Sequence, residues 1–278
     1  MKRLVSVLVF TMFFGLIFAQ NSTDSILFQK FLNFAQREKL AEKPAGERVA
    51  AIGKYFMNTP YVASTLEAPG PERLQVNLHG LDCTTLVENA LALSKMLSGS
   101  PCDFDAFKRW LTSIRYRDGK LDGYPSRLHY ASDWLTNNVQ KGLISYVRMG
   151  LSKDTLYPKV YYMSTHPSAY LALRSDTTFI AVIAEQEKAI DRLTFAYMPK
   201  EKVTQKAPYI KSGDIVAIST SFPGLDFSHL GIAIRQKGKV YLLHASTTGK
   251  KVLISEMPLS DYLAGIKKHG GIVIARPL

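Results

Sequence analysis

The sequence predicts an α+β protein, with helices filling the first half of the chain and a mostly antiparallel sheet the second. Two observations carry this. Between residues 23 and 142 apolar side chains recur at spacings of three and four behind capping residues, as in amphipathic helices. From Val160 onward the texture changes to short β-branched or aromatic runs set between Gly, Pro, Asp and Lys turns. No internal repeat or low-complexity linker divides the halves, so residues 20–278 are expected to form one domain.

The elements follow in order. In TDSILFQKFLNFAQREKL (23–40), Ile26, Leu27, Phe31, Phe34 and Leu40 mark one helix face, and GERVAAIGKYFMN before Pro60 predicts a second helix. A third begins close to Cys83 and carries Leu86, Ala90, Leu93 and Leu97 on one side. Asp103 is placed to cap a fourth through FDAFKRWLTSI, and Ser126 a fifth through RLHYASDWLTNNVQ, which Gly142 ends. VYYM (160–163), FIAVIA (179–184), DIVAI, LGIAI, VYLLHAS, VLISEM and GIVIARPL read as strands. GIAIRQKGKVYLLHA predicts a hairpin turning on Gln236 to Lys239, and the close succession of runs predicts pairing between sequential strands.

The first residues, MKRLVSVLVFTMFFGLIFAQNS, place Lys2 and Arg3 ahead of an apolar run ending at Phe18, with Ala19 before polar Gln20, Asn21 and Ser22. This is the layout of a secretory signal cut after Ala19; the rival reading is a retained anchor, since the run approaches the roughly 20 residues a span requires. Cleavage predicts a protein exported across the inner membrane to the periplasm, with no stable membrane insertion afterwards. It leaves a net charge of 12 − 2 = +10, which favours anionic surfaces or carboxylate-rich substrates. Nucleic acid is not expected, because the chain has no long basic run, zinc-finger spacing or aromatic RNA-binding signature. A composition of 46% apolar and 21% charged residues is that of a globular protein and excludes disorder and coiled coil.

Only two cysteines occur, and one stands in HGLDCTTLVENAL (79–91) at the expected start of a helix. There the helix dipole should lower the pKa of the Cys83 thiol and stock the thiolate, so that Cys83 should alkylate faster than Cys102. A Cys83–Cys102 disulfide is disfavoured: a helix running to Leu97 at ~1.5 Å per residue carries the chain some 20 Å away, whereas bridged Cα atoms come within about 7 Å. Cys102 is then expected as a free, partly buried thiol. His229 opens a strand in DFSHLGIAI and His244 closes the next in KVYLLHAST. A cysteine at a helix start, a base on a facing strand and a polar group orienting that base form a constellation suited to amide cleavage. Taken singly, each histidine is more often a satisfied structural residue.

Asp82-Cys83-Thr84, Ser212-Gly213-Asp214, Ser228-His229-Leu230-Gly231-Ile232 and His244-Ala245-Ser246, in that order, resemble the signature of NlpC-type papain-like cell-wall hydrolases. TPYVASTLE (59–67), SRLHYASDW (126–134), AYMPKE (196–201) and the terminal GIVIARP are similar to the N-acetylmuramoyl-L-alanine amidase-like branch of that superfamily. The resemblance implies a papain-like fold with a nucleophile helix packed on the sheet. It implies Cys83 as nucleophile, His229 as base, His244 as the residue fixing the tautomer of His229, and peptidoglycan or muropeptides as substrate. Thr84-Thr85 departs from the Ser-Gly more usual after the cysteine.

Candidate substrate contacts are Asp82, Thr84, His129, Tyr130, Asp226 and Ser228. Five of them have a plainer reading: Asp82 as helix cap, Thr84 as a first-turn hydrogen-bonding residue, His129 paired with Asp133 one helical turn on, Tyr130 as packing, Asp226 as turn former. His79, His166 and His269 receive no role. No HExxH or similar ligand pair occurs among the six histidines, which argues against a zinc hydrolase, and no cofactor is expected. Two other functions fit the same residues: an endopeptidase cutting the stem peptide after D-glutamate, and a non-catalytic cell-wall binding protein.

Overall fold

The computed structural model describes residues 23–147 and 154–278; the proposed signal segment lies outside these residues. Among the described residues, the α-helices of the first half are α1 (23–37), α2 (Ala45–Tyr55), α3 (Cys83–Leu97), α4 (Phe104–Arg115) and α5 (Ala131–Gln140). α3 is the centre. Leu86, Val87, Ala90, Leu91, Leu93 and Met96 are all buried, and the helix packs against α2, α4 and the sheet. Truncating Leu91 to Ala would cost about 2–5 kcal/mol through lost transfer energy and the cavity left behind.

The second half supplies β1 (Ile144–Tyr146), β2 (Thr155–Leu156), β3 (Phe195–Ala196), β4 (Met198–Pro199), β5 (Ile215–Thr220), β6 (Phe227–Gln236), β7 (Lys239–Ser246), β8 (Lys251–Ile254) and β9 (His269–Pro277). The main sheet runs β1-β9-β5-β6-β7-β8, all antiparallel, with β4 also on β9. β5 to β8 pair sequentially as expected. β9 returns to the far edge of β5, which no local signal announces. The β6–β7 hairpin closes with Gln236 opposite Lys239, and Lys237 and Gly238 both adopt positive φ, as a two-residue turn between twisted strands requires. Gly213, at φ +90°, lets the turn before β5 touch the start of α2: a Cβ there would lie 1.8 Å from the Gly46 carbonyl oxygen.

Both sheet faces are covered, which is why its strands read as nearly continuous apolar runs. Ile215, Ala217, Ile232, Ile234, Leu243 and Val273 meet the helices α1–α5. Val216, Ile218, Ala233, Leu242, Ile272 and Ile274 meet Val203 of α9 (Val203–Lys206) and Leu259 and Leu263 of α10 (Leu259–Ala264). A third cluster joins Tyr124 and Tyr130 to a helical segment comprising α6 (Tyr162–Thr165), α7 (Leu171–Ser175) and α8 (Thr178–Ile190).

Three expectations require correction. FIAVIA lies within α8, because EQEKAI extends it into a run of helix formers whose Phe179, Ile180, Ile183 and Ile190 face one cluster. VYYM leads into α6 and pairs with no strand among the described residues. α5 starts at Ala131 and not after Ser126. Arg127 is drawn inward to Glu67 and to the Leu66 carbonyl, and the ring of His129 bonds the Tyr124 carbonyl, so the chain stays extended through Tyr130. Asp226, from the segment before β6, then caps α5 by accepting from the Ser132 N–H at 2.7 Å and from the Ser132 hydroxyl.

Candidate active site

Cys83 is the first residue of α3, and Asp82 is its N-cap. The Thr85 N–H donates to Asp82 Oδ1 at 2.8 Å, and the Asp82 N–H donates to Thr85 Oγ1 at 2.9 Å. Threonine at position 85 thus closes a reciprocal capping box. The Thr84 hydroxyl lies 4.0 Å from Cys83 Sγ. The Cys83 N–H, in the first turn, has no carbonyl of the preceding turn to bond and is available to an oxyanion beside the thiol.

His229 Nε2 lies 2.7 Å from His244 Nδ1, with the rings nearly perpendicular at 87°. The β6–β7 register makes the two residues diagonal neighbours on one face. His229 pairs with Ile218 at the last regular step before a bulge in β5. Its neighbour Leu230 offers a backbone hydrogen bond to the Cys83 sulfur, which ties the start of β6 to the start of α3.

A cavity of about 390 Å³ lies between α3, the segment before α5, the α6–α7 region and the start of β6. Cys83 and His229 both line it, as do Asp82, Thr84, His129, Tyr130, Asp226 and Ser228; His244 stands behind His229. Several of these side chains are already engaged. Asp82 caps α3 and Asp226 caps α5. The Tyr130 hydroxyl donates to Glu187 Oε1 at 2.6 Å and accepts the Met163 N–H. The expected His129–Asp133 pair does not form, because His129 precedes the helix and Asp133 is bound to Arg117. Ser228 is exposed at the rim.

The electrostatics overturn one expectation. Burial and the Asp82 carboxylate push the Cys83 thiol up to about 11, outweighing the hydrogen bonds from Leu230 and Thr84 that favour thiolate. Burial, helped by His244 and His269, pushes His229 down to about 3, and burial takes His244 to about 4. These shifts favour a neutral thiol and neutral imidazoles over a stocked thiolate. Nor does the basic charge of the chain extend into the cavity, whose wall holds Glu67, Asp82, Glu88 and Asp226 against Arg127. Glu88 in this wall forms a buried ion pair at 2.8 Å with Arg115 behind it. Cys102 is free but exposed, not partly buried, and its thiol donates to the Gly99 and Met96 carbonyls.

Some residues around the thiol carried no motif. Tyr61, bridged to Leu81, and Tyr262 on α10 both lie within the field of Cys83. Buried His269, dismissed on sequence, lies within that of His229. Among the described residues no three His, Cys, Asp or Glu side chains converge as a metal site would require.

Residues 51–272 match the family described as AmiA-like, N-acetylmuramoyl-L-alanine amidase-like. The chain belongs to this N-acetylmuramoyl-L-alanine amidase-like family. Among solved structures, an N-acetylmuramoyl-L-alanine amidase from Bacteroides uniformis is 43% identical, with 84% of this chain and 98% of that one covered and a TM-score of 0.79. A putative xylanase from Bacteroides fragilis is also 43% identical, over 82% and 99% of the two chains, with a TM-score of 0.77. A Legionella pneumophila protein at 21% identity shares the fold, with a TM-score of 0.67 over 93% and 94%. No curated protein matches the chain. Membership in the amidase-like family supports a cell-wall amidase kind of activity, hydrolysis of an amide bond.

Proposed function

We propose that this chain is an exported cysteine amidase that hydrolyses the amide between N-acetylmuramic acid and L-alanine in peptidoglycan or its fragments. The observation that carries the reading is the shared cavity of Cys83 and His229, with His229 held through Nε2 by His244. That bond occupies one ring nitrogen and leaves Nδ1 to take the thiol proton. With Nδ1 of His229 as the base, the tautomers follow: His229 donates from Nε2–H, and neutral His244 accepts at Nδ1 and keeps its own proton on Nε2.

Because thiol and imidazole rest neutral, the proton moves as sulfur attacks. His229 removes it at Nδ1 while the S–C bond forms, and the carbonyl π pair moves to oxygen, beside the Cys83 N–H. Collapse breaks the C–N bond, and the His229 imidazolium protonates the leaving L-alanine nitrogen. A thioester to the lactyl group remains. Water, deprotonated by His229, attacks the thioester carbonyl; collapse breaks the C–S bond, the His229 imidazolium returns the proton to sulfur, and the muramyl carboxylic acid leaves. An antiparallel sheet presenting the base against a nucleophile helix is what supports a papain-like, NlpC-type relationship.

The name xylanase borne by one structural neighbour does not transfer readily. Glycoside hydrolysis requires two carboxyl groups free to act on either side of the bond. Here Asp82 and Asp226 cap helices, while Glu88 and Glu67 are paired with Arg115 and Arg127.

The test incubates residues 20–278 and their Cys83→Ala variant with purified muropeptides and identifies products by mass. Release of intact amino sugar and intact stem peptide by the wild type alone is the expected result. A dipeptide cut from the stem would replace the reading with an endopeptidase; binding without turnover would replace it with a cell-wall binding protein.

A further inference from the structure

The histidine pair does not stand alone. His244 meets the ring of Tyr262 edge-to-face, with centroids 5.4 Å apart and planes at 69°. Tyr262 in turn lies 5.9 Å from the ring of His269, tilted by 37°. His269 is only 7% exposed, and its Nδ1 has no hydrogen-bond partner, so packing and not a bond at that atom places the ring. His269 lies within electrostatic reach of His229, which brings the row of four rings back towards its start. Tyr262 belongs to α10, on the sheet face opposite α3, where Leu259 and Leu263 anchor the helix in the second core cluster. The side chain is half-buried and lies within the field of the Cys83 sulfur.

An imidazole on a strand can turn about its Cβ–Cγ bond, and a half-turn of His244 would move Nδ1 away from His229. The bond to His229 is one restraint; the aromatic wall is the other that the fold supplies. We propose that Tyr262 is the positioning residue of the histidine pair: its ring, set between His244 and His269, holds His244 with Nδ1 towards His229 Nε2. The inference rests on His229 serving as the base for Cys83. It assigns the work to the ring of Tyr262 and not to its hydroxyl, and it makes α10 part of the functional apparatus although it contributes nothing to the cavity wall.

The test compares Tyr262→Phe, which keeps the ring, with Tyr262→Leu, which removes it; Tyr262→Met serves should the leucine variant not fold, as thermal melting will show. The first readout needs no substrate. Long-range ¹H–¹⁵N correlation spectra of histidine-labelled protein should show the Nε2–H tautomer at both His229 and His244 in wild type and Tyr262→Phe, and mixed tautomers in Tyr262→Leu. The second is kinetic. On muropeptide, Tyr262→Leu should lower kcat on the order of 10- to 100-fold, the loss expected when a reacting group is misplaced by about 1 Å. Its KM should stay within about twofold, because the wall acts on the base and not on bound substrate.

Unchanged tautomers and unchanged kcat in Tyr262→Leu would overturn the proposal, and so would a Tyr262→Phe variant as impaired as Tyr262→Leu. Absence of muropeptide turnover in the wild type, with tautomers responding as expected, would count against the amidase reading while supporting the role of Tyr262.

Discussion

His229 Nε2 sits 2.7 Å from His244 Nδ1, and this one contact decides which nitrogen of His229 faces the chemistry. His244 is buried and His229 half-buried, and desolvation lowers both, to about 4 and about 3. The base form of His229 is thus present over nearly the whole acidic range and is lost only as pH falls through those values. The profile of kcat/KM against pH should keep its acidic limb near 3 to 4 and not near the ordinary 6.5. A limb near 6.5 would mean a base open to solvent. Replacing His229 by Ala should cost about 10²–10⁴ in kcat.

Alkylation should follow burial. Cys102 is exposed, whereas the Cys83 thiol is pushed up to about 11. With limiting iodoacetamide at neutral pH, peptide mass mapping should find Cys102 modified first. That is the reverse of what the helix start alone predicts; faster modification of Cys83 would show that the resting site holds a thiolate after all.

Acid should destabilise the fold through four histidines, His129, His229, His244 and His269, the last also lowered chiefly by burial. His129 at about 3, His229 at about 3 and His244 at about 4 are all depressed from 6.5, mainly by burial. Below 6.5 the unfolded chain binds protons that the folded one refuses. Their contribution is complete above the unfolded value and is lost as pH falls towards the folded values. The histidine contribution to Tm should therefore fall between pH 6.5 and 4, opposed by the carboxyls of Asp24, Glu72, Glu88 and Asp226 that burial raises, and replacing His129 with Gln should remove its share of that fall.

Arg115→Met would leave Glu88 buried without its partner and should cost about 3–5 kcal/mol. For a chain of this size the Tm would fall on the order of 10 °C. Adding Glu88→Leu should recover much of the loss, because what destabilises is the uncompensated charge and not the missing bond. No recovery in calorimetry would point instead to the hydrogen bond between Arg115 and the Gln75 carbonyl.

Legibility followed the range of the interactions. The starts of α3 and α4 were readable because Asp82 and Asp103 cap residues only three positions on. The β6–β7 hairpin was readable because two turn residues dictate its register. The start of α5 was not: its cap, Asp226, lies 94 residues away. FIAVIA misled because a six-residue apolar run fits either period until a partner strand is present or absent. Tyr262 and His269 had no motif, since what gives them meaning is packing against residues that are distant in sequence.

By itself the sequence determined the ordered set of Cys83, His229 and His244, the helix behind the cysteine and the strands that carry the histidines. Local rules of capping, periodicity and turn geometry suffice for these. Only the tertiary structure decided their state. Whether Cys83 rests as thiol or thiolate depends on how completely neighbouring elements exclude water, and desolvation outweighs the local dipole of α3. Dielectric environment is a property of the assembled core, and no short stretch of sequence contains it.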